Sequence, residues 1–320
     1  MRSYRLCVAL ALALVPCWVA AQAYPAKPVR VVIPWPPGGS NDIVGRIVAQ
    51  KLSEAAGQQF VVDNRSGAAG TIGSDLVAKS PPDGYTIMIH SATHVANPHM
   101  YKKLPYDTLK DFVGIAPMSA QIGILIVHPS MPVKTVKDLI ALAKAKPGQV
   151  VYGSSGNGSF VHLTMALLNA TTHTRMIHVP YKGGGPAAIA IASGEVQAMI
   201  ATIGAVMTQI VANRVRPIAV TSDYRVEAFP KVPTIAESGV PGYEFTAWIG
   251  ALGPAGMPKP VVDKLNTDIQ KILRMPDVAE KLKGQTLDPM FMTPEQFAQR
   301  LRSDYDKYEK VIKIAGATVD

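Results

Sequence analysis

Strand-like and helix-like segments alternate along this chain, and that rhythm limits the fold more than any other property. Val29–Ile33 reads as a strand and Asp42–Ala56 as an amphipathic helix. Gln59–Asn64 is a strand, Ala69–Lys79 a helix and Tyr85–His90 a strand. Strands follow at Gly123–His128, Val150–Gly153, Met176–Pro180, Val196–Thr202 and Arg216–Ser222. Helices separate them at Thr135–Lys146, Ser159–Ala170, Pro186–Ser193 and Ala205–Ala212. This order predicts an α/β fold of parallel sheets with helices on both faces. Beyond a strand at Phe245–Leu252 the tail turns helical, over Lys259–Arg274, Pro276–Lys283 and Pro294–Ile314. Thr293 stands as N-cap of the last helix and Pro294 at its first position.

A chain of 320 residues has room for two domains, yet no linker divides it. Interleaving follows. The chain is expected to leave its first lobe near residues 120–126 and return near 220–226, both times as a strand. Lobe one is then 24–124 plus 223–320 and lobe two 125–222, joined by a two-strand hinge. A ligand belongs in the cleft, at the carboxyl ends of the strands.

Arg2 and Arg5 precede an apolar run, Leu6–Ala21, and Ala21-Gln22-Ala23 fits a small-x-small cleavage pattern. Residues 1–23 are therefore expected to be a signal peptide cleaved near Ala23, which points to the periplasm. Cys7 and Cys17 both lie inside it, so neither disulfides nor thiol catalysis is expected beyond it. No later stretch is long and apolar enough to span a membrane. The formal charge is +9, and removing Arg2 and Arg5 leaves +9 − 2 = +7. That surplus is dispersed, without a basic run interleaved with aromatics, so nucleic-acid binding is not expected. It suits small acidic molecules instead.

Catalytic patterns fail on inspection. Gly67-Ala68-Ala69-Gly70-Thr71-Ile72-Gly73 has the wrong spacing for a dinucleotide fingerprint and reads as a helix-start loop. Gly153-Ser154-Ser155-Gly156-Asn157 resembles a nucleophile elbow but has Asn157 in place of the second glycine. A hydrolase using Ser155 and His162 is the rival reading, and it lacks an orienting acid. His90 and His94, with His99 following, sit at a strand end and in a loop, so no metal site is expected. Nothing points to a cofactor.

What remains are loops suited to an anion. Pro37-Gly38-Gly39-Ser40-Asn41-Asp42 runs from strand to helix, where glycines admit close approach and the helix start favours negative charge. Asp42 is read as capping its own helix. Gly153–Ser159 repeats the arrangement with Ser154, Ser155, Gly156, Asn157 and Ser159. Val179–Pro186 adds Tyr181, Lys182 and Gly183, and Ser91, Thr93 and His94 follow the strand ending at His90. Trp35 is a candidate wall for a flat ligand.

The chain resembles the periplasmic solute-binding receptors of tripartite tricarboxylate transporters, often called Bug proteins. The likeness rests on "PWPPGGSNDI" (34–43), "NRSGAAGTIGSDLVAKSPPDGYT" (64–86), "LPYDTLKDF" (104–112) and "YGSSGNGSFVHL" (152–163). It continues through "HVPYKGGGPA" (178–187), "RPIAVTS" (216–222), "VPTIAESGVPGYEFTAW" (232–248) and "LGPAGMPKPVV" (252–262). The resemblance implies a two-lobed, Venus-flytrap binding protein of type II topology and not an enzyme. Such a receptor, a monomer, captures a small carboxylate and delivers it to a two-component membrane permease; a ligand-sensing partner of a membrane sensor would share the fold. Carried over by motif, Gly38, Gly39, Ser40 and Asn41 form one half of the cradle. Ser154, Ser155, Gly156, Asn157 and Ser159 form the other, and Thr202 lines the specificity side. Ala166 stands where many relatives carry an acid, and Gly194-Glu195-Val196-Gln197 replaces their "GQVD". With no acid to receive an amine, purely anionic ligands are favoured, a di- or tricarboxylate first. Trp35, Tyr181 and Trp248 are compatible with an aromatic acid.

Overall fold

The structure, a computed structural model, describes residues 24–317. The expected signal segment, with Cys7 and Cys17, lies outside the described residues. In chain order the strands are β1 (Val29–Ile33), β2 (Phe60–Asn64), β3 (Thr86–Ser91), β4 (Phe112–Gln121), β5 (Gly123–Val127), β6 (Val151–Ser154), β7 (Ile177–Pro180), β8 (Ala198–Thr202), β9 (Arg216–Val220), β10 (Ala247–Pro254) and β11 (Asp288–Pro289). The α-helices are α1 (Ser40–Ala56), α2 (Thr71–Ala78), α3 (Thr93–Met100), α4 (Val136–Ala145), α5 (Phe160–Thr172), α6 (Gly184–Ser193), α7 (Ile203–Val211), α8 (Lys259–Leu273), α9 (Pro276–Gly284) and α10 (Pro294–Ala315).

Two sheets result, ordered β11-β4-β10-β3-β1-β2 and β7-β6-β8-β5-β9. Together they make the α/β, two-lobed fold. The sheets are mixed and not purely parallel. β10 runs antiparallel to both β3 and β4, and β5 antiparallel to both β8 and β9. The strands that cross between sheets account for this: a chain arriving from the other lobe enters the sheet from the opposite end. The outgoing crossing is Ile122, between β4 and β5. Beside it the Gly123 N–H donates to the Thr221 hydroxyl at 2.8 Å, and the Phe245 N–H donates to the Thr221 carbonyl at 2.9 Å. These two bonds tie the crossing segments side by side.

Three further departures from the sequence reading have local causes. β4 was not expected; Pro117 and Gly114 disguise it. The strand accommodates Pro117 with a register shift, Ile249 facing Ser119 while Gly250 faces Pro117. His94 lies in helix α3, not in a loop. Finally, after Thr221 the chain does not return at once. Residues 221–244 fold back to touch the end of β9 through one bridge, where Val220 N–H donates to the Pro233 carbonyl and Ile235 N–H to the Val220 carbonyl, each at 2.9 Å. The chain rejoins the first sheet only at Ala247, paired with Gln121.

Side-chain alternation assigns each sheet face to a core. Val31 and Ile33 pack with Val44 and Val48 of α1 and Leu265 and Ile269 of α8. Ile124 and Ile126 pack with Ile191 and Val206 under α6 and α7. The opposite faces, Val32 and Met88 from one sheet and Leu125 and Val127 from the other, join a single cluster with Phe297, Tyr308 and Ile312 of α10. That last helix packs on α3 and β4 of the first lobe and on α5 of the second.

Candidate functional site

A cavity of about 680 Å³ opens between the two sheets. From the first lobe it is lined by Trp35, Gly39, Ser40, Asn41, Ser91 and Thr93, with Ala68, Ala69, Met100, Tyr101 and Gln121. From the second it is lined by Ser155, Asn157, Ser159, Gly183 and Thr202, with Gly158, Phe160, Val161, Gly184, Met199, Ala201 and Ala205. None of these is Asp, Glu, Lys, Arg or His.

Its electrostatics come from the backbone. Ser40 and Asn41 begin α1, Thr93 begins α3, Phe160 and Val161 begin α5, Gly184 begins α6, and Thr202 and Ala205 flank the start of α7. Five helix N-termini therefore converge on one uncharged cavity, each presenting first-turn N–H groups and the positive end of its dipole. Four of the five lack a side-chain cap: Gly39, Ala92, Gly183 and Thr202 accept no N–H with their side chains. Only Ser159 caps its helix, accepting the His162 N–H at 3.2 Å. Away from the cavity, α4 and α10 each carry a complete capping box, from Thr135 with Asp138 and Thr293 with Gln296.

The first loop is shaped by Asp42. Its carboxylate accepts the Gly38 N–H at 3.0 Å, Arg46 Nε at 3.0 Å and Asn64 Nδ2 at 2.9 Å. Burial pushes this carboxyl up, but Arg46, the Gly38 N–H and Asn64 outweigh it and hold it below the usual range. The acid thus stays ionised and engaged with its own loop. In the second loop Gly158 is left-handed, with φ of 69°, and a Cβ there would run into Met100 of α3. Glycine lets the two lobes approach at that point.

Six expected residues fall elsewhere. Gly38 lines a neighbouring groove with Gln285 and Thr286. His94 is fully buried, edge-on to Phe112 with centroids 4.6 Å apart, and burial drives its pKa down to about 3. Ser154 is fully buried and pairs with His178 Nε2 at 2.6 Å, while Gly156 donates to Ser154. The Tyr181 hydroxyl is turned to Glu195 at 2.8 Å. Trp248 is core as well, its indole N–H donating to Asp304 Oδ2 at 3.0 Å. Met100, Phe160 and Met199 supply the apolar wall, and no local sequence signal marks them, because they meet only through the packing of two lobes. Met100 sits at the C-terminal end of the unforeseen α3. His162 does not serve Ser155: its Nδ1 accepts the Gly158 N–H at 3.1 Å.

Residues 44–317 match the sequence profile of the tripartite tricarboxylate transporter family receptor. The protein of the tcbD-tcbE intergenic region of Pseudomonas sp. (strain P51) is 39% identical, over 96% of this chain and 93% of its own length. BugT of Bordetella pertussis is 34% identical over 93% of this chain and 92% of its own. Among solved structures, R. palustris Rpa4515 with adipate has 36% identity and a TM-score of 0.81, covering 92% of this chain and 99% of that one.

Proposed function

The chain belongs to the tripartite tricarboxylate transporter receptor family, and from that premise we propose that it captures a small carboxylate between its lobes in the periplasm and delivers it to a two-component membrane permease. The observation that carries this reading is the convergence of five helix N-termini on a cavity without a charged side chain. Such a site solvates an anion with fixed dipoles and offers no proton-transfer pair. The ligand's carboxylate is held by the Gly39–Asn41 start of α1 on one side and by Ser155, Asn157 and Ser159 on the other. Trp35, Phe160 and Met199 pack against its carbon skeleton. Amine-bearing ligands are disfavoured, since among the described residues no carboxylate lines the cavity to receive them. A dicarboxylate is favoured, because helix N-termini face the cavity from both lobes; adipate, bound by the R. palustris relative, is the first candidate. The lobes close about Ile122 and residues 245–246, so 221–244 moves with the second lobe.

A thermal-shift screen tests this. The panel contains adipate, succinate, citrate, glutamate, benzoate and terephthalate, with uncharged controls. A ligand at a hundred times its Kd adds about 2.7 kcal/mol of stability. We expect a clear upward shift with at least one acid and none with the controls. Silence across all acids would overturn the carboxylate reading; consumption of a bound acid would overturn the receptor reading.

A further inference from the structure

The cradle uses one side of the second loop. On its other side stands a set of stacked rings. The imidazoles of His162 (α5) and His178 (β7) lie parallel within 5°, with centroids 3.9 Å apart. Tyr152 of β6 also stacks on His178, at 5.0 Å. Both histidines grip the loop. Gly158 N–H donates to His162 Nδ1 at 3.1 Å. His178 Nε2 pairs with the Ser154 hydroxyl at 2.6 Å, and Ser154 Oγ accepts the Gly156 N–H at 3.1 Å. Asn157 lies between these anchors and lines both the ligand cavity and a groove of about 590 Å³ on the ring side.

A ring nitrogen that accepts an N–H carries no proton, so the grip on Gly158 exists only with a neutral Nδ1. Protonation would set two N–H groups against each other and put a charge 3.9 Å from a second imidazole. The groups facing His162 across the groove are His178, Tyr152, His173 and Arg175, and the end of α10 adds only Ile314, Ala315 and Gly316. Among the described residues no carboxylate lines this groove to balance an imidazolium.

We propose that His162 is a positioning residue for the anion-binding loop: its neutral ring fixes Gly158 and the adjoining wall of the cavity, and its protonation frees the loop and weakens ligand binding. This rests on the carboxylate reading above for its effect on affinity, but not for its effect on the loop. Burial, then the charge of His178, lowers the His162 pKa to about 4, so release begins below about pH 5 and is half complete near pH 4.

Two variants separate the role from general packing. His162→Asn restores an acceptor oxygen near the Nδ1 position and does not titrate. His162→Phe keeps a stacking ring without an acceptor. Protection of the Gly158 amide against hydrogen exchange is measured in the ligand-free protein between pH 7 and 4, and adipate affinity over the same range. Adipate's own titration is common to all three proteins and cancels in the comparison. The wild type should lose protection and affinity below about pH 5 relative to His162→Asn, and His162→Phe should have lost at least tenfold in both at pH 7. Parallel pH profiles for wild type and His162→Asn, or full protection in His162→Phe, would overturn the proposal. If the wild type does not bind adipate at pH 7, adipate is not a ligand, and the exchange measurement alone decides the role of His162.

Discussion

The two glycine-rich loops that face each other across the cavity are anchored by opposite means. The loop before α1 is held by a charge: Asp42 draws in the Gly38 N–H and is itself held by Arg46 and Asn64. The loop before α5 is held by neutral rings, His162 on Gly158 and His178 on Ser154. Each loop ends in the same device, a helix start aimed at the cavity, yet the supports fail under different conditions. An ionised carboxylate with a lowered pKa keeps its loop until the pH falls below the ordinary Asp value. A neutral imidazole with its pKa lowered to about 4 contributes less stability as soon as the pH falls below the unfolded value of about 6.5, although the folded ring takes up its proton only near pH 4. Similar loops therefore need not share a scaffold, and acid is the condition that separates them.

The largest expected effect uses acid directly. Burial lowers the pKa of His90 well below its usual value, of His94 to about 3 and of His162 to about 4. Each ring binds its proton more readily when unfolded, so the unfolded chain carries the extra protons. Stability is complete above about pH 6.5 and is lost as pH falls toward the folded values. At 1.36 kcal/mol per unit for each ring, the loss by pH 5 should reach several kcal/mol, measured by urea midpoints. A flat profile from pH 7 to 5 would show that the buried rings do not govern acid stability. Asp42 has the same sign in a lower window: its contribution is intact above the usual Asp pKa and is lost only below it.

Next comes a cut through both halves of the cradle. Ser40→Ala with Ser155→Ala should weaken adipate, or whichever panel acid shifts the melting temperature most, at least tenfold by calorimetry. Each hydrogen bond to a charged group is worth about 1.5–3 kcal/mol. Unchanged affinity would remove the hydroxyls from the site. A smaller effect, about 2 kcal/mol of stability, is expected from Asp42→Ala, which removes the acceptor shared by the Gly38 N–H, Arg46 and Asn64. If denaturant unfolding shows no change, the first loop stands without its carboxylate. The smallest effect is that of Arg46→Ala. Its side chain is 52% exposed, and such pairs contribute about 1 kcal/mol or less. A larger loss would mean that Arg46, and not the loop N–H, is what holds Asp42.

The comparison also marks where the sequence was readable. Gly38–Gly39 and Gly156–Gly158 announced both loops, because a strand, a glycine turn and a helix start leave a local signature. Thr135 and Thr293 announced their helices as N-cap residues, and the structure completes each into a capping box with the residue three positions on. The anchors were not readable. His162 pairs with Gly158 four residues away, but its stacking partner His178 comes from another strand. His94 looked like a ligand residue because it follows a strand end; instead α3 folds it into the core, stacked on Tyr106 and beside His90. β4 hid behind Pro117, whose missing N–H falls where the ladder with β10 shifts register. Trp248 seemed available to a ligand, yet Asp304 of the last helix claims its indole. In each case the deciding partner is remote in sequence.

The topology has a kinetic corollary. Every strand of the second sheet lies within one uninterrupted stretch, 123–220, so that sheet can pair as soon as this stretch is complete. The first sheet cannot. β10 stands between β3 and β4, and it follows them only after the entire second sheet has been made. The half that begins the chain is thus finished last, and α10, the final helix, closes the shared cluster over both. Loop closure on this scale is slow. A chain built this way emerges with its amino-terminal strands still seeking a partner that has yet to be synthesised.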